Sequence, residues 1–174
     1  MKVCFINPPF KAEFGKFSRE SRSPCIGHSG VLYYPLWLIY AAAVVENNGF
    51  EIAFIDAPAK QLDVQQTLQR VDKEAADAAL FVLDTSTPSI YNDVAFAEHL
   101  KKKYPGSKIM LVGTHPSALP IETLNINDAV DFVARREYDY IVLKTAQALE
   151  NNVAIDRVRG LTYRDVIGEI KETP

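Results

Sequence analysis

Three short segments gather most of the side chains able to hold or transform a ligand. Asp84-Thr85-Ser86-Thr87-Pro88 collects hydroxyls, and Val112-Gly113-Thr114-His115-Pro116-Ser117 joins a glycine to hydroxyls and an imidazole. Asn7-Pro8-Pro9 closes an apolar run with an amide and two rigid residues, and a fourth segment, Arg135-Arg136-Glu137, adds charge. Small side chains and free backbone donors let a large ligand approach closely. Each segment also admits a plainer reading. Asn7-Pro8-Pro9 can be a stiff strand exit, since proline fixes φ and removes a donor. Thr85-Ser86-Thr87 can cap a helix, Gly113 can serve a tight turn, and His115 can be a surface imidazole.

The remaining reactive side chains say less. His28 lies in Gly27-His28-Ser29-Gly30, a context as suited to a flexible loop as to a ligand. His99 is read as facing solvent beside Lys101-Lys102-Lys103, a run that suits the negative end of a helix. Cys4 falls inside an apolar run and reads as an inert core residue. Cys25 has no evident activating neighbour.

Several sites are excluded. No glycine-rich dinucleotide fingerprint follows the first apolar run, because Asn7-Pro8-Pro9 stands there. No lysine follows a glycine-rich phosphate loop, and residues 27–30 lack the spacing of a nucleophile elbow. A phospho-acceptor receiver would need acidic residues after the first strand, although Asp84 does end the third. Two cysteines exclude a disulfide framework and any four-thiolate zinc site. With 19 Lys+Arg against 22 Asp+Glu, the net charge of −3 leaves no basic field for nucleic acid or anionic membrane. The longest apolar-leaning stretch, Val31 to Val45, contains Pro35 and is too short to span a bilayer. Met1 leads directly into Lys2-Val3-Cys4-Phe5-Ile6 without a charged leader or cleavage site, so a cytoplasmic domain is expected.

The elements that must position these segments follow from the hydrophobic pattern. The 174 residues, 48% of them hydrophobic, suffice for one compact domain. Short apolar runs alternate with stretches of helical period, the pattern of βαβ units around a parallel sheet. Strands are expected at Val3–Ile6, Glu51–Ile55, Ala79–Leu83, Lys108–Val112 and Val130–Ala134. The first helix, Pro35–Asn48, is expected to turn Leu36, Ile39, Tyr40, Ala43 and Val44 inward and to stop at Gly49. A second helix would bury Val64, Leu68, Val71 and Ala75, and a third, Ser89–Tyr104, Ile90, Val94, Ala97 and Leu100. A short helix around Pro120–Leu124 precedes a last one, Tyr138–Glu150, with Ile141, Thr145, Ala148 and Leu149 inward. The fold class is therefore α/β: a Rossmann-like, flavodoxin-like, doubly wound sheet of five parallel strands in the order 2-1-3-4-5. Two β-like stretches, Val158–Arg164 and Glu169–Lys171, form a C-terminal hairpin that must lean on the sheet or on another domain. Residues 1–152 are read as the domain and 153–174 as a hairpin linker, making the chain a fragment of something longer. The ligand of such a sheet belongs at the carboxyl ends of the strands, where all four segments meet. The first connection, Asn7 to about Tyr34, is far longer than an ordinary strand–helix loop, a length usually tied to function or mobility.

The order of these motifs resembles one family. Asn7-Pro8-Pro9 is followed by Pro35-Leu36-Trp37-Leu38-Ile39-Tyr40-Ala41-Ala42 with Gly49 and Asp56, then by Thr85-Ser86-Thr87-Pro88. Val112-Gly113-Thr114-His115-Pro116-Ser117-Ala118-Leu119-Pro120 and Asp131-Phe132-Val133-Ala134-Arg135-Arg136-Glu137 complete the series. Across nearly the whole chain this is similar to the N-terminal cobalamin-binding domain of cobalamin-dependent radical S-adenosylmethionine (SAM) enzymes. Gly160-Leu161-Thr162-Tyr163-Arg164 resembles the bridge into their catalytic barrel.

The resemblance implies a corrin across the carboxyl edge of the sheet, with its nucleotide tail running down beside it. Thr85, Ser86 and Thr87 would line the tail, and Gly113 would leave it room. Thr114, His115, Pro116 and Ser117 would meet the tail or the corrin amides, Asn7, Pro8 and Pro9 would approach the ring, and Glu137 would stand near the same edge. Two departures carry meaning. None of His28, His99 and His115 has an Asp two before and a Gly three after, so no Asp-x-His-x-x-Gly cobalt ligand exists; His28 remains a substitute candidate. Gly113-Thr114 also replaces the more usual Gly-Gly. The Cys-x-x-x-Cys-x-x-Cys triplet is absent, so an iron–sulfur cluster and SAM would belong to a radical SAM domain C-terminal to this one. The expectation is a cobalamin carrier for a methyltransferase or ring-forming enzyme. Two alternatives stand beside it: a cofactor-free regulatory or interaction module of the same fold, and a small-molecule hydrolase or transferase using Ser86 or His115.

Overall fold

The structure is a computed structural model that describes residues 1–11, 13, 16–19, 25–27 and 31–174, with the backbone alone for 25–27. His28 therefore lies outside the described residues, as does the side chain of Cys25.

Nine strands and six α-helices follow in the order β1 (Lys2–Asn7), β2 (Lys16–Ser18), β3 (Cys25–Gly27), α1 (Leu36–Asn47), β4 (Glu51–Asp56), α2 (Val64–Glu74), β5 (Leu80–Thr85), α3 (Ile90–Lys103), β6 (Lys108–Gly113), α4 (Thr114–Ala118), α5 (Pro120–Ile126), β7 (Phe132–Ala134), α6 (Asp139–Glu150), β8 (Leu161–Arg164) and β9 (Ile170–Glu172) among the described residues. The main sheet runs β4-β1-β5-β6-β7-β8-β9. Its first five strands are parallel and correspond to the expected order 2-1-3-4-5.

Alternation along each central strand builds two cores. Val3, Phe5, Leu80, Val82, Met110 and Val112 pack with Leu38, Ala41, Val45, Val142 and Ala146 of α1 and α6. Cys4, Ile6, Phe81, Leu83, Ile109 and Leu111 face the other way, onto Val71, Val94, Ala97 and Leu100 of α2 and α3. Both faces are covered, which explains why these strands read as unbroken apolar runs. Local signals set the helix ends. Asp63 and Gln66 form a reciprocal capping box at the start of α2, with Gln66 N–H donating to Asp63 Oδ1 at 2.7 Å and Asp63 N–H to Gln66 Oε1 at 3.0 Å. Gly49, at φ +89°, follows the end of α1.

The structure corrects the expected face of α1. It buries Leu38, Ala41, Ala42 and Val45 and exposes Leu36, Ile39 and Tyr40. Every residue from Leu36 to Val45 is apolar or aromatic, so the pattern names no preferred stripe. Packing against α6 and the sheet selects the side that carries the small Ala41 and Ala42. In α6 the buried set is Val142, Leu143, Thr145, Ala146 and Ala148, with Ile141 and Leu149 at its margin. Val64 of α2 is exposed, while Thr67 and Val71 are buried. The third helix buries all four residues expected of it.

The hairpin extends the sheet. β8 pairs antiparallel with β7, and Leu161 enters the α1/α6 core. Arg135 N–H donates to the Gly160 carbonyl at 3.0 Å, and the Arg135 guanidinium donates to the Thr173 carbonyl. The chain after α6 is thus fastened behind the loop that precedes α6. Among the described residues, no helix is long and apolar enough to cross a membrane.

Candidate functional site

The strand order reverses at β1, which pairs with β4 on one side and β5 on the other. Nearby, above the carboxyl ends of β5 and β6, a cleft of about 920 Å³ opens between α1 and the N-terminal ends of α4 and α6. Trp37, Tyr40 and Val44 of α1 line one side, and Asp84, Thr85, Gly113, Thr114, Ser117 and Ala118 line the strand ends and α4. Arg136, Glu137, Tyr138 and Asp139 contribute from the β7–α6 loop, and Arg19 reaches in from the first connection. Ordinary small-molecule sites occupy about 300–1,000 Å³, so this one stands near the top of the range.

Five expected site residues line the cleft: Thr85, Gly113, Thr114, Ser117 and Glu137. Gly113 takes φ +114°, and a Cβ built there would stand 2.2 Å from the Thr85 carbonyl oxygen and 3.1 Å from Asp84 Oδ1. The neighbouring strand already fills the space beyond its Cα. Ser117 bridges two lining segments: its hydroxyl donates to the Gly113 carbonyl at 2.7 Å and accepts from the Arg136 N–H at 2.8 Å. That bond steadies Arg136, a non-glycine residue in the left-handed region at φ +65°.

The other expected residues fall outside the lining. Ser86 caps the turn before α3, where its hydroxyl meets Ser89 Oγ at 3.0 Å and its N–H donates to the same atom at 3.2 Å. The capping reading of this segment is therefore realised at Ser86. Thr87 is exposed and lies 3.3 Å from His115 Nδ1. Burial outweighs the nearby Glu122 carboxylate at His115, pulling its pKa below the ordinary imidazole value. Pro116 is buried in α4.

Asn7, Pro8 and Pro9 turn away from the cleft into a buried polar network. Asn7 donates to Asp56 Oδ1 at 3.0 Å and accepts from Arg19 Nη1 at 2.8 Å. The Pro8 carbonyl accepts from the same guanidinium at 2.9 Å, and the Pro9 carbonyl accepts from Asn92 at 2.8 Å. Arg19 also pairs with Asp93 through Nε at 3.2 Å and Nη2 at 2.5 Å. Asp93 further accepts from Thr85 Oγ1 at 2.6 Å, Ser89 Oγ at 2.6 Å and Asn92 Nδ2 at 3.0 Å. The Thr85 hydroxyl, one of those expected to meet a ligand, is thereby directed into the protein. Desolvation pushes the Asp56 carboxyl above its ordinary value despite the bonds from Ala59 and Asn7.

Sequence reasoning did not single out Trp37, Tyr40 and Val44 as lining, nor Arg19. Trp37 and Tyr40 stand three residues apart on one helix face, with ring centroids 6.1 Å apart; an aromatic pair next to a long loop was the available signal. Nothing local marks Arg19, whose partner Asp93 lies 74 residues away. Cys4 is buried, and burial pushes its thiol far up, in keeping with an inert core role. His99 is exposed as expected, and Lys101, Lys102 and Lys103 each make an ion pair, with Asp131, Glu98 and Asp72. Among the described residues, no cluster of three or more His, Cys, Asp and Glu could hold a metal ion.

Comparison with known proteins agrees with this geometry. The chain is 23% identical over 164 residues to the anaerobic magnesium-protoporphyrin IX monomethyl ester cyclase of a Synechocystis strain, covering 94% of this chain and 31% of that protein. The fold superposes on the radical SAM methyltransferase TsrM from Kitasatospora setae with a TM-score of 0.77 at 15% identity, covering 99% of this chain and 30% of the other. It also superposes on the cobalamin-dependent SAM radical enzyme OxsB, solved with aqua-cobalamin and SAM, with a TM-score of 0.72 at 14% identity, covering 99% of this chain and 22% of that one. The chain thus spans less than a third of each of these proteins. A family profile described as the B12 binding domain matches residues 22–144, well over half of the sequence. With the doubly wound fold and the cleft at its carboxyl edge, this places the chain in the B12-binding domain family, related to the cobalamin-dependent radical SAM enzymes.

Proposed function

We propose that this domain carries cobalamin in the cleft between α1 and α4/α6, as the front part of a radical SAM enzyme of the methyltransferase or ring-forming type. The observation that carries the reading is the two-sided character of a cleft of about 920 Å³ at the carboxyl edge of the sheet. A corrin has apolar faces and an amide-bearing rim. Trp37, Tyr40 and Val44 suit the faces, while Thr114, Ser117, Glu137 and Asp139 suit the rim. The donor set fits the group.

Each expected residue has a part in this reading. Thr85, Gly113, Thr114, Ser117 and Glu137 form the wall, and Thr87 and His115 stand at its outer edge. Asn7, Pro8, Pro9, Ser86 and Pro116 hold the wall from behind. When bound, cobalamin supplies a cobalt centre for methyl-transfer or radical chemistry; the chain's residues bind it, orient it and keep water from one side. The sequence carries no Asp-x-His-x-x-Gly motif, so in this reading the cobalt is held without that histidine. The iron–sulfur cluster and SAM belong to a further domain of the same polypeptide, reached through residues 153–174.

Trp37 is the one tryptophan of the sequence and lines the cleft, so it reports directly. Titration with hydroxocobalamin is expected to quench its fluorescence saturably and to leave a visible cobalamin spectrum with the protein after gel filtration. Absence of both would favour the cofactor-free module.

A further inference from the structure

We infer that Arg19 is a positioning residue that locks residues 16–19 onto the sheet edge and thereby fixes the wall of the cleft. Its relevance to ligand rests on the cobalamin reading; the lock itself does not. Arg19 lies outside residues 22–144, the segment that matches the family profile.

The side chains of Arg19 and Asp93 are 1% and 0% exposed, an ion pair removed from water. Replacing such a pair by well-packed apolar residues is often neutral or favourable, so stability alone is a poor reason to keep one. What this pair provides is placement. The guanidinium presents its donors in a rigid plane and uses them on separate elements: Asp93 on α3, Asn7 at the end of β1, and the Pro8 carbonyl beyond it. Asn7 hands the constraint to Asp56 at the end of β4. Asp93 hands it to Thr85 at the end of β5, whose carbonyl is the atom packed against Gly113. The ends of β4, β1, β5 and β6 are thus referred to one side chain, which itself reaches the cleft. Phe17 packs on the guanidinium, 5.2 Å from ring centroid to Cζ, and stacks on Phe10 at 4.2 Å, so β2 is held in the same arrangement.

Arg19→Lys and the double variant Arg19→Met/Asp93→Leu separate placement from stability. Lysine keeps the charge but cannot reach Asp93, Asn7 and the Pro8 carbonyl together. The first readout is amide hydrogen exchange without ligand. Exchange in residues 16–19, 84–87 and 113–118 is expected to rise at least about tenfold in Arg19→Lys, while residues 2–5 of β1, residues 51–54 of β4 and α6 stay protected. The double variant is expected to melt near the wild type yet show the same local loosening. The second readout is hydroxocobalamin affinity, expected to fall about tenfold or more in both variants. Wild-type exchange in those segments for Arg19→Lys would overturn the inference, whatever the double variant does. A double variant that regains both protection and affinity would also overturn it, leaving the pair a replaceable packing element. If the wild type fails to bind hydroxocobalamin, the cofactor reading fails, and the exchange readout still decides the role of Arg19.

Discussion

Gly113→Ala separates two costs that glycine avoids at this position. The first is conformational: φ is +114°, outside the region that L side chains populate. Holding a non-glycine residue in such a region costs about 1–3 kcal/mol. The second is steric. The new Cβ would stand 2.2 Å from the Thr85 carbonyl oxygen, an atom of a paired central strand that has no flexible end to move aside. Forcing extra volume into a packed site costs roughly another 1–3 kcal/mol. The sum, on the order of 4 kcal/mol, corresponds in a domain of this size to a fall of about 8–16 °C in melting temperature.

Two other glycines calibrate the two contributions. Gly49 has φ +89° with nothing within 4 Å of its Cβ position, so Gly49→Ala shows the conformational cost alone, about 1–3 kcal/mol. Gly106 has neither a positive φ nor a neighbour within 4 Å, so Gly106→Ala is expected to be neutral or to gain up to about 1 kcal/mol through the unfolded state. Thermal melts followed by circular dichroism, without ligand, rank the three variants. The expected order of loss is Gly113 above Gly49 above Gly106. A Gly113→Ala protein melting with Gly49→Ala would refute the claim that the Thr85 carbonyl, rather than φ, chiefly reserves this position for glycine.

Asp56→Asn tests the cost of a desolvated carboxylate. Its folded pKa is raised, so the folded state holds the proton more tightly, and this contribution to stability fades as pH rises through the folded value. The amide oxygen of the substituted side chain can still accept from Asn7 and Ala59, so the variant should melt higher at pH 7 and depend less on pH just above 3.8; a lower melting temperature at pH 7 counts against the assignment. Trp37→Ala removes a side chain that is 63% exposed, so unfolding free energy should change by under about 0.5 kcal/mol. Hydroxocobalamin affinity, read by absorbance, should fall about tenfold, near the 1.4 kcal/mol an aromatic contact commonly provides. Asp131→Ala leaves Lys101, Lys108 and the Ile109 N–H without their shared acceptor and should cost about 1–3 kcal/mol in a denaturant titration. Cys4 should resist alkylation in the native protein and react only on unfolding, because burial keeps its thiol protonated.

The sheet was legible because its strands are buried on both sides: Val3–Ile6 and Leu80–Leu83 can be little else when each residue must enter one core or the other. The third helix was legible for the opposite reason, since its apolar residues fall on one stripe. In α1 the information is missing, because an all-apolar decade looks the same from every side. Only the close approach of Ala41 and Ala42 to their neighbours decides which side is wet. The same ambiguity hid Trp37 and Tyr40, which could be placed in the cleft only once the buried face of α1 was known.

The polar residues of the edge are instructive in another way. Asn7, Thr85 and Ser86 were singled out for their hydrogen-bonding groups, and those groups are indeed committed, but to Arg19, Asp93 and Ser89. Strand ends beside an open cleft need their side chains tied back, or those side chains would fill the space. Hydroxyl and amide residues at a carboxyl edge therefore mark a site without necessarily touching what it holds. The buried charge pair behind them explains why the motif spans the edge of the sheet while the cleft occupies one part of it. The residues that define such an edge in sequence are largely those that build it. Those that line the open cleft from α1, such as Trp37 and Tyr40, leave the fainter trace.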